Sequence, residues 1–95
     1  MKEMKQAKDK VSLEIRKTPG VCGGRACVGP TRIPVWLLIA FLKDGLSEES
    51  LLQSYPQLTS DHIRLVRDYY RQHTQQIDRD IQEEENEDEE TVHNG

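Results

Sequence analysis

One eight-residue run, Val35 to Leu42, is the longest continuous apolar segment in a chain that is 32% charged, and it decides what the rest can fold around. Pro34 precedes it, where the first turn of a helix tolerates a missing amide hydrogen. Lys43-Asp44-Gly45 follows, with glycine at the position that closes a helix. A helix from Pro34 to about Lys43, apolar on nearly every side, is therefore expected at the centre of the core. The run falls far short of the roughly 20 residues a membrane-crossing helix needs, and the N-terminus carries no apolar secretory segment. The expectation is a cytoplasmic protein with one small domain, in which self-association as a homodimer would add stability.

Two further helices are announced by their caps. Ser47 is a good N-cap with Glu48 and Glu49 in the first turn, and Leu46 is placed to pack on Leu51; that helix must stop near Tyr55, before Pro56. Thr59 repeats the device, with Asp61 in the first turn and Leu58 placed against Ile63. Two capped helices joined by a tight Pro-containing turn make a helix-turn-helix arrangement. On the second of them Ile63, Val66 and Tyr70 form a core-facing stripe, and Arg64, Arg67 and Arg71 cluster on the edge beside it. Such a row of guanidinium forks can bridge phosphates or read guanine. With Thr59, Ser60 and His62 at the leading end of the helix, these arginines are the expected DNA-binding set. The plainer reading is a solvated face whose arginines pair with Asp68 or other nearby carboxylates.

Ahead of the apolar run, Val11-Ser12-Leu13-Glu14-Ile15 alternates as a half-buried strand, and Arg25-Ala26-Cys27-Val28 reads as the returning strand. Gly23 and Gly24 suit a tight hairpin turn needing positive φ. Thr31 and Arg32 are expected to bond loop carbonyls at the junction into the helix. Cys22 and Cys27, with only three His in the chain, are too few ligands for a closed zinc site and are expected as free, packed thiols. Neither metal nor cofactor is anticipated. Catalysis is not expected either: His62, His73 and His93 have no assigned orienting carboxylate, and Gly23-Gly24-Arg25 lacks the Lys-Ser/Thr and following helix of a phosphate loop.

The charge is divided. Residues 1–73 carry 12 Lys/Arg against 8 Asp/Glu, whereas residues 74–95 carry 1 against 9. The chain thus parses as a flexible basic arm over 1–10, a helix-turn-helix domain over 11–73, a helical extension over 74–84 and a disordered acidic tail over 85–95. In the extension Ile77 and Ile81 stay in phase with Ile63 and Tyr70, so a continuous helix to about Glu84 is expected. With no evident cover in so small a body, Ile77 and Ile81, together with Glu83, Glu84 and Glu85, are the expected partner-binding set.

The stretch Pro19-Gly20-Val21-Cys22-Gly23-Gly24-Arg25-Ala26-Cys27-Val28, running into Thr31-Arg32-Ile33-Pro34-Val35-Trp36, resembles the signature of the bacterial DUF433 family. The likeness continues through Gly45-Leu46-Ser47-Glu48-Glu49, Tyr55-Pro56-Gln57-Leu58-Thr59 and Ile63-Arg64, covering roughly residues 13–72. It implies an α+β, mostly α fold: a short N-terminal β-hairpin on a three-helix, homeodomain-like or winged-helix-like bundle. It also implies Gly23, Gly24, Arg25, Thr31, Arg32, Pro34 and Trp36 as a structural motif. The function implied is that of a VapB-like antitoxin, neutralising a PIN-like ribonuclease toxin through C-terminal segments and binding operator DNA. One position departs from the family pattern: Pro30 stands where glycine usually precedes the Thr-Arg pair. A stand-alone DNA-binding regulator and a protein-interaction module without nucleic acid are the other open readings.

Overall fold

The apolar run folds as helix α1, Val35–Lys43, and its Val35, Leu38 and Ile39 are buried. Pro34 is its N-cap with extended backbone. The C-terminus closes as the sequence predicts: Leu46 N–H reaches the Phe41 carbonyl at 3.0 Å, Gly45 N–H reaches Leu42 at 3.1 Å, and Gly45 takes φ +100°. That pair of bonds is a Schellman motif, which satisfies carbonyls the helix end would orphan. A computed structural model describes residues 11–94, with side-chain surroundings through Asn86, so the expected basic arm lies outside the described residues.

The fold is α+β and mostly α, in the order β1 (Ile15–Lys17), β2 (Ala26–Val28), α1, α2 (Glu48–Ser54), α3 (Ser60–Gln72) and α4 (Thr74–Asn94). β1 and β2 pair antiparallel, with Ile15 opposite Val28 and Lys17 opposite Ala26. β1 starts four residues later than the alternation suggests. Val11 instead lies against Gly29, and its carbonyl is bonded by a side chain of α3, so only the end of the alternating run has a strand to pair with. The Thr18–Arg25 connection is a 3-10 turn over Cys22–Gly24 rather than a two-residue hairpin turn, with Gly23 and Gly24 at positive φ as expected.

Ser47 caps α2, its Oγ accepting from Ser50 N–H at 3.1 Å. Thr59 caps α3 through a reciprocal box with His62. α1 packs on both, and Ala26, Val28, Ile33, Val35, Leu38, Leu51, Leu58, Ile63 and Val66 share one core with Trp36 half-buried at its margin. Beyond Pro30 the loop is held by Thr31, whose hydroxyl donates to the Val28 carbonyl at 2.6 Å and accepts from Ile33 N–H at 3.1 Å. Arg32 is exposed and, among the described residues, bonds no carbonyl, so Thr31 alone fills the role expected of the pair.

The largest departure comes at His73. α3 does not run on: His73 takes φ −133°, ψ 42°, its ring stacks on Tyr69 at 4.1 Å, and the Thr74 hydroxyl donates to the Tyr70 carbonyl at 2.7 Å. That hydroxyl takes the carbonyl which a continuing helix would offer to the Thr74 amide, a competition typical of Thr near a helix end. α4 therefore folds back over α1. Ile77 is fully buried and Ile81 packs half-buried on the core, so the body extends past residue 73. The backbone stays helical through Asn94, where the acidic residues were expected without structure. Glutamate is a good helix former, and extending an existing helix avoids the cost of nucleating one.

Candidate nucleic-acid interface

α3 presents two faces with opposite fates. Inward, Ile63 and Val66 are buried, with Tyr70 half-buried in the same direction. Outward, Arg64, Arg67 and Arg71 are all exposed on one edge, as the spacing requires. Among the described residues no carboxylate lies within ion-pair distance of Arg64. Arg67 faces Glu48 of α2 at 3.8 Å, and Arg71, whose side chain is 72% exposed, pairs with Asp68 one turn back. Exposed pairs of this kind stabilise by about 0–1 kcal/mol, so either carboxylate is readily exchanged for a phosphate.

The leading end of α3 corrects part of the expected DNA-binding set. His62 is 3% exposed. Its Nδ1 accepts from the Thr59 amide at 3.0 Å, which leaves Nε2 to carry the proton and donate to the Val11 carbonyl at 2.8 Å. The ring ties the segment before β1 to the start of α3 and is not offered to a ligand. Thr59 is exposed, but its hydroxyl is engaged with the same ring. Ser60 remains exposed at the first turn beside Arg64.

Beyond Arg67 the edge opens into a groove of about 250 Å³ between α1 and α3, with Ile39, Leu42 and Tyr70 as its apolar lining and Lys43, Arg67 and Arg71 as cations. Lys43 is held at one end. Its Nζ lies 2.9 Å from Asp78 Oδ1 and 5.3 Å from the Tyr70 ring centre, and the Tyr70 hydroxyl donates to the same oxygen at 2.8 Å. Hydrogen bonds from Lys43 and then Tyr70 hold the Asp78 carboxyl below its usual range.

A second guanidinium centre was unforeseen. Arg25, at the end of the 3-10 turn, meets three carboxylates of α4: Asp80 at 3.3 Å through Nε, Glu83 at 2.7 Å, and Glu84. Its side chain is 22% exposed. The hydrogen bond to Glu83 is the main cause that raises the Arg25 pKa above its ordinary value. Burial pushes the Asp80 carboxyl up, against the pull of Arg25, and one Asp80 oxygen has no partner among the described residues.

These contacts overturn the basis of the expected partner-binding set. Ile77 lies in the core, Ile81 against it, and Glu83 and Glu84 on Arg25 of the same chain; Glu85 alone of the five is both exposed and unengaged among the described residues. Periodicity alone missed this, because Ile77 follows Tyr70 by seven residues and so stays in helical phase across the bend at His73. The nearest sequence signal was Thr74 after a 13-residue capped helix. Cys22 and Cys27, expected as separate packed thiols, have their sulfurs brought together as a pair. The turn at Cys22–Gly24 folds the chain so that the two sulfurs meet, with Arg25 between them in sequence.

Among the described residues no helix is long and apolar enough to cross a membrane, and no cluster of His, Cys, Asp and Glu is arranged to hold a metal. A hairpin followed by three capped helices and a docked fourth, with its turn motif anchored by arginine, defines a small helical domain with a cationic outer edge. The model of the DUF433 family, described as a protein of unknown function, matches residues 15–70, and the chain belongs to that family. It is similar to the crystal structure of a DUF433 member protein from Anabaena variabilis, with a TM-score of 0.69 and 40% identity, covering 84% of this chain and 75% of that one. It is also 34% identical over 55 residues to the uncharacterized protein y4eO of Sinorhizobium fredii. That match spans 58% of this chain and 25% of the relative.

Proposed function

We propose that this chain is a cytoplasmic DNA-binding protein of the antitoxin kind, contacting operator DNA through α3 and a ribonuclease toxin through the acidic part of α4. The observation that carries the reading is the exposed edge of α3, where Arg64, Arg67 and Arg71 stand in a row behind a capped start. Phosphate contacts from such a row supply affinity and position, and bidentate contacts to guanine supply sequence preference. Ser60 and Arg64 occupy the first two turns of α3, the part of a recognition helix that reaches base edges in helix-turn-helix proteins. Thr59 and His62 act here by fixing the first turn rather than by touching DNA.

The toxin-binding half rests on less of the helix than the periodicity suggested. Glu85 remains for a cationic partner surface, whereas Ile77 does not. The test is co-expression with a neighbouring nuclease-like protein, comparing the full chain with a truncation after Asn86, which keeps the Arg25 contacts and the core intact. Loss of neutralisation on truncation is the expected result; equal neutralisation would assign it to the body. Binding of a labelled duplex by both forms is expected to be unaffected by the truncation.

The groove favours a second reading, an interaction module without nucleic acid. Its apolar lining of Ile39, Leu42 and Tyr70 suits a protein side chain better than a phosphate backbone. Duplex binding that weakens steeply with salt separates the two readings.

A further inference from the structure

Three features converge on six residues of the motif turn. Cys22 and Cys27 are paired, Arg25 lies between them in sequence, and Arg25 holds Asp80, Glu83 and Glu84 of α4. Cys22 also takes φ +55°, the only non-glycine residue at positive φ among those described. An L-residue adopts that backbone region at a cost and keeps it when the surroundings impose it. The two sulfurs differ in access: Cys27 is 2% exposed within β2, whereas Cys22 is half-buried in the turn.

We infer that Cys22 and Cys27 form a thiol–disulfide exchange site for low-molecular-weight thiols and disulfides, and that its redox state sets how firmly the Arg25 turn holds α4. In the reducing direction an incoming thiolate attacks the accessible Cys22 sulfur. A mixed disulfide forms there, the Cys22–Cys27 bond breaks, and Cys27 leaves as a thiolate that takes up a proton. A second small thiolate attacks the small-molecule sulfur of that mixed disulfide, releasing the oxidised small disulfide and the Cys22 thiolate. Two small thiols are oxidised as one protein disulfide is reduced. In the oxidising direction a small disulfide loads Cys22, and Cys27, adjacent and buried, displaces the small thiol. Where small thiols are abundant, such a pair reports redox state rather than acting as a permanent staple.

The consequence for α4 follows from covalent geometry. With the bond closed, the ends of the turn are fixed and Arg25 is presented to three carboxylates. With it open, Cys22 can leave its positive-φ conformation and Arg25 loses the constraint that aims it, while Ile77 still holds the first turns of α4 to the core. The inference is independent of DNA or toxin binding, because it concerns only the turn and the helix it clamps.

The experiment equilibrates the full chain in graded mixtures of reduced and oxidised glutathione, quenches by alkylation, and follows intact mass and amide exchange together. Between the two limits, two alkylated cysteines should replace none, and amides of residues 80–86 should exchange on the order of tenfold faster in the reduced form. A glutathione adduct should be trapped on Cys22 in the Cys27→Ser variant, and far less on Cys27 in the Cys22→Ser variant. In an Arg25→Gln variant the disulfide should still titrate while exchange in α4 loses its redox dependence. Failure of the wild type to titrate, or α4 exchange that is equal at both limits, would overturn the inference without requiring any variant to fold.

Discussion

Arg25 and Arg71 pair with carboxylates of the same chain, and the difference between them separates structure from function in this molecule. Arg25 is mostly buried and meets three acidic side chains that arrive from more than fifty residues away in sequence. Arg71 is mostly exposed and meets one acidic residue three positions back on its own helix. Removing the partner of a buried ion leaves an uncompensated charge, whereas an exposed pair exchanges freely with water, salt or a phosphate. Burial rather than pairing therefore marks the turn around Arg25 as architecture and the edge of α3 as available surface.

The largest break in that contrast would come from the residue that brings α4 to Arg25. Ile77→Ala should cost about 2–5 kcal/mol of stability, measured by urea denaturation, because a fully buried side chain is removed from the core. Ile81→Ala, at a half-buried position, should cost clearly less. Equal and small effects would return both residues to the partner surface that their periodicity suggests.

Next, Arg25→Met should cost about 3 kcal/mol, toward the lower end for a broken buried pair because Glu83 and Glu84 can turn to solvent. Adding Asp80→Asn should recover part of the loss, since the unpaired buried charge is then gone. Recovery distinguishes a charge effect from lost packing; no recovery would contradict the clamp.

Gly29→Ala should cost about 1–3 kcal/mol. Gly29 has φ +53°, and a Cβ there would stand 3.0 Å from Val11 Cγ1 and 3.2 Å from the Ser12 carbonyl oxygen. The same substitution at Gly20, also at positive φ but with open space around it, should cost less, as thermal denaturation of the two variants would show.

A smaller effect concerns pH. The Asp80 pKa is raised by burial, so its contribution to stability is fully present below the ordinary value of 3.8 and is lost as pH rises through its folded value. Asp78, lowered by Lys43 and Tyr70, works in the opposite sense: its contribution is present above 3.8 and is lost as pH falls through the lower folded value. The stability of wild type relative to Asp80→Asn should therefore rise as the solution is acidified toward pH 3.8. Relative to Asp78→Asn it should fall with further acidification below that value. Denaturation across that range checks both signs.

Local chemistry was legible in the sequence, and long-range chemistry was not. The caps at Ser47 and Thr59, the closure at Gly45 and the burial of the Val35–Leu42 run follow from residues within a turn or two of one another. So does the arginine row, because a helix fixes its own faces. The bend at His73 leaves no mark in the periodicity, because Ile77 and Ile81 stay in phase with Ile63 and Tyr70 across it, and their true cover, α1, lies more than thirty residues earlier. The position of His62 at the leading end of α3 suggests a ligand-facing ring, and nothing local shows that its two nitrogens are taken by the Thr59 amide and the Val11 carbonyl. The pairing of the two cysteine sulfurs and the Arg25 contacts depend on how the turn and α4 are placed in space, which neither cysteine spacing nor charge counting supplies.

The smallest expected change in stability accompanies the largest in binding. Replacing Arg64, Arg67 and Arg71 together with Ala should alter stability by no more than about 0.5 kcal/mol per site, as for exposed positions generally. The decisive measurement is duplex affinity as a function of salt for the wild type and this folded triple variant. Loss of most of the affinity is expected, with the slope of log K against log salt reduced by about 0.9 for each phosphate contact removed. A folded triple variant with unchanged affinity and slope would contradict the assignment of the α3 edge to nucleic acid.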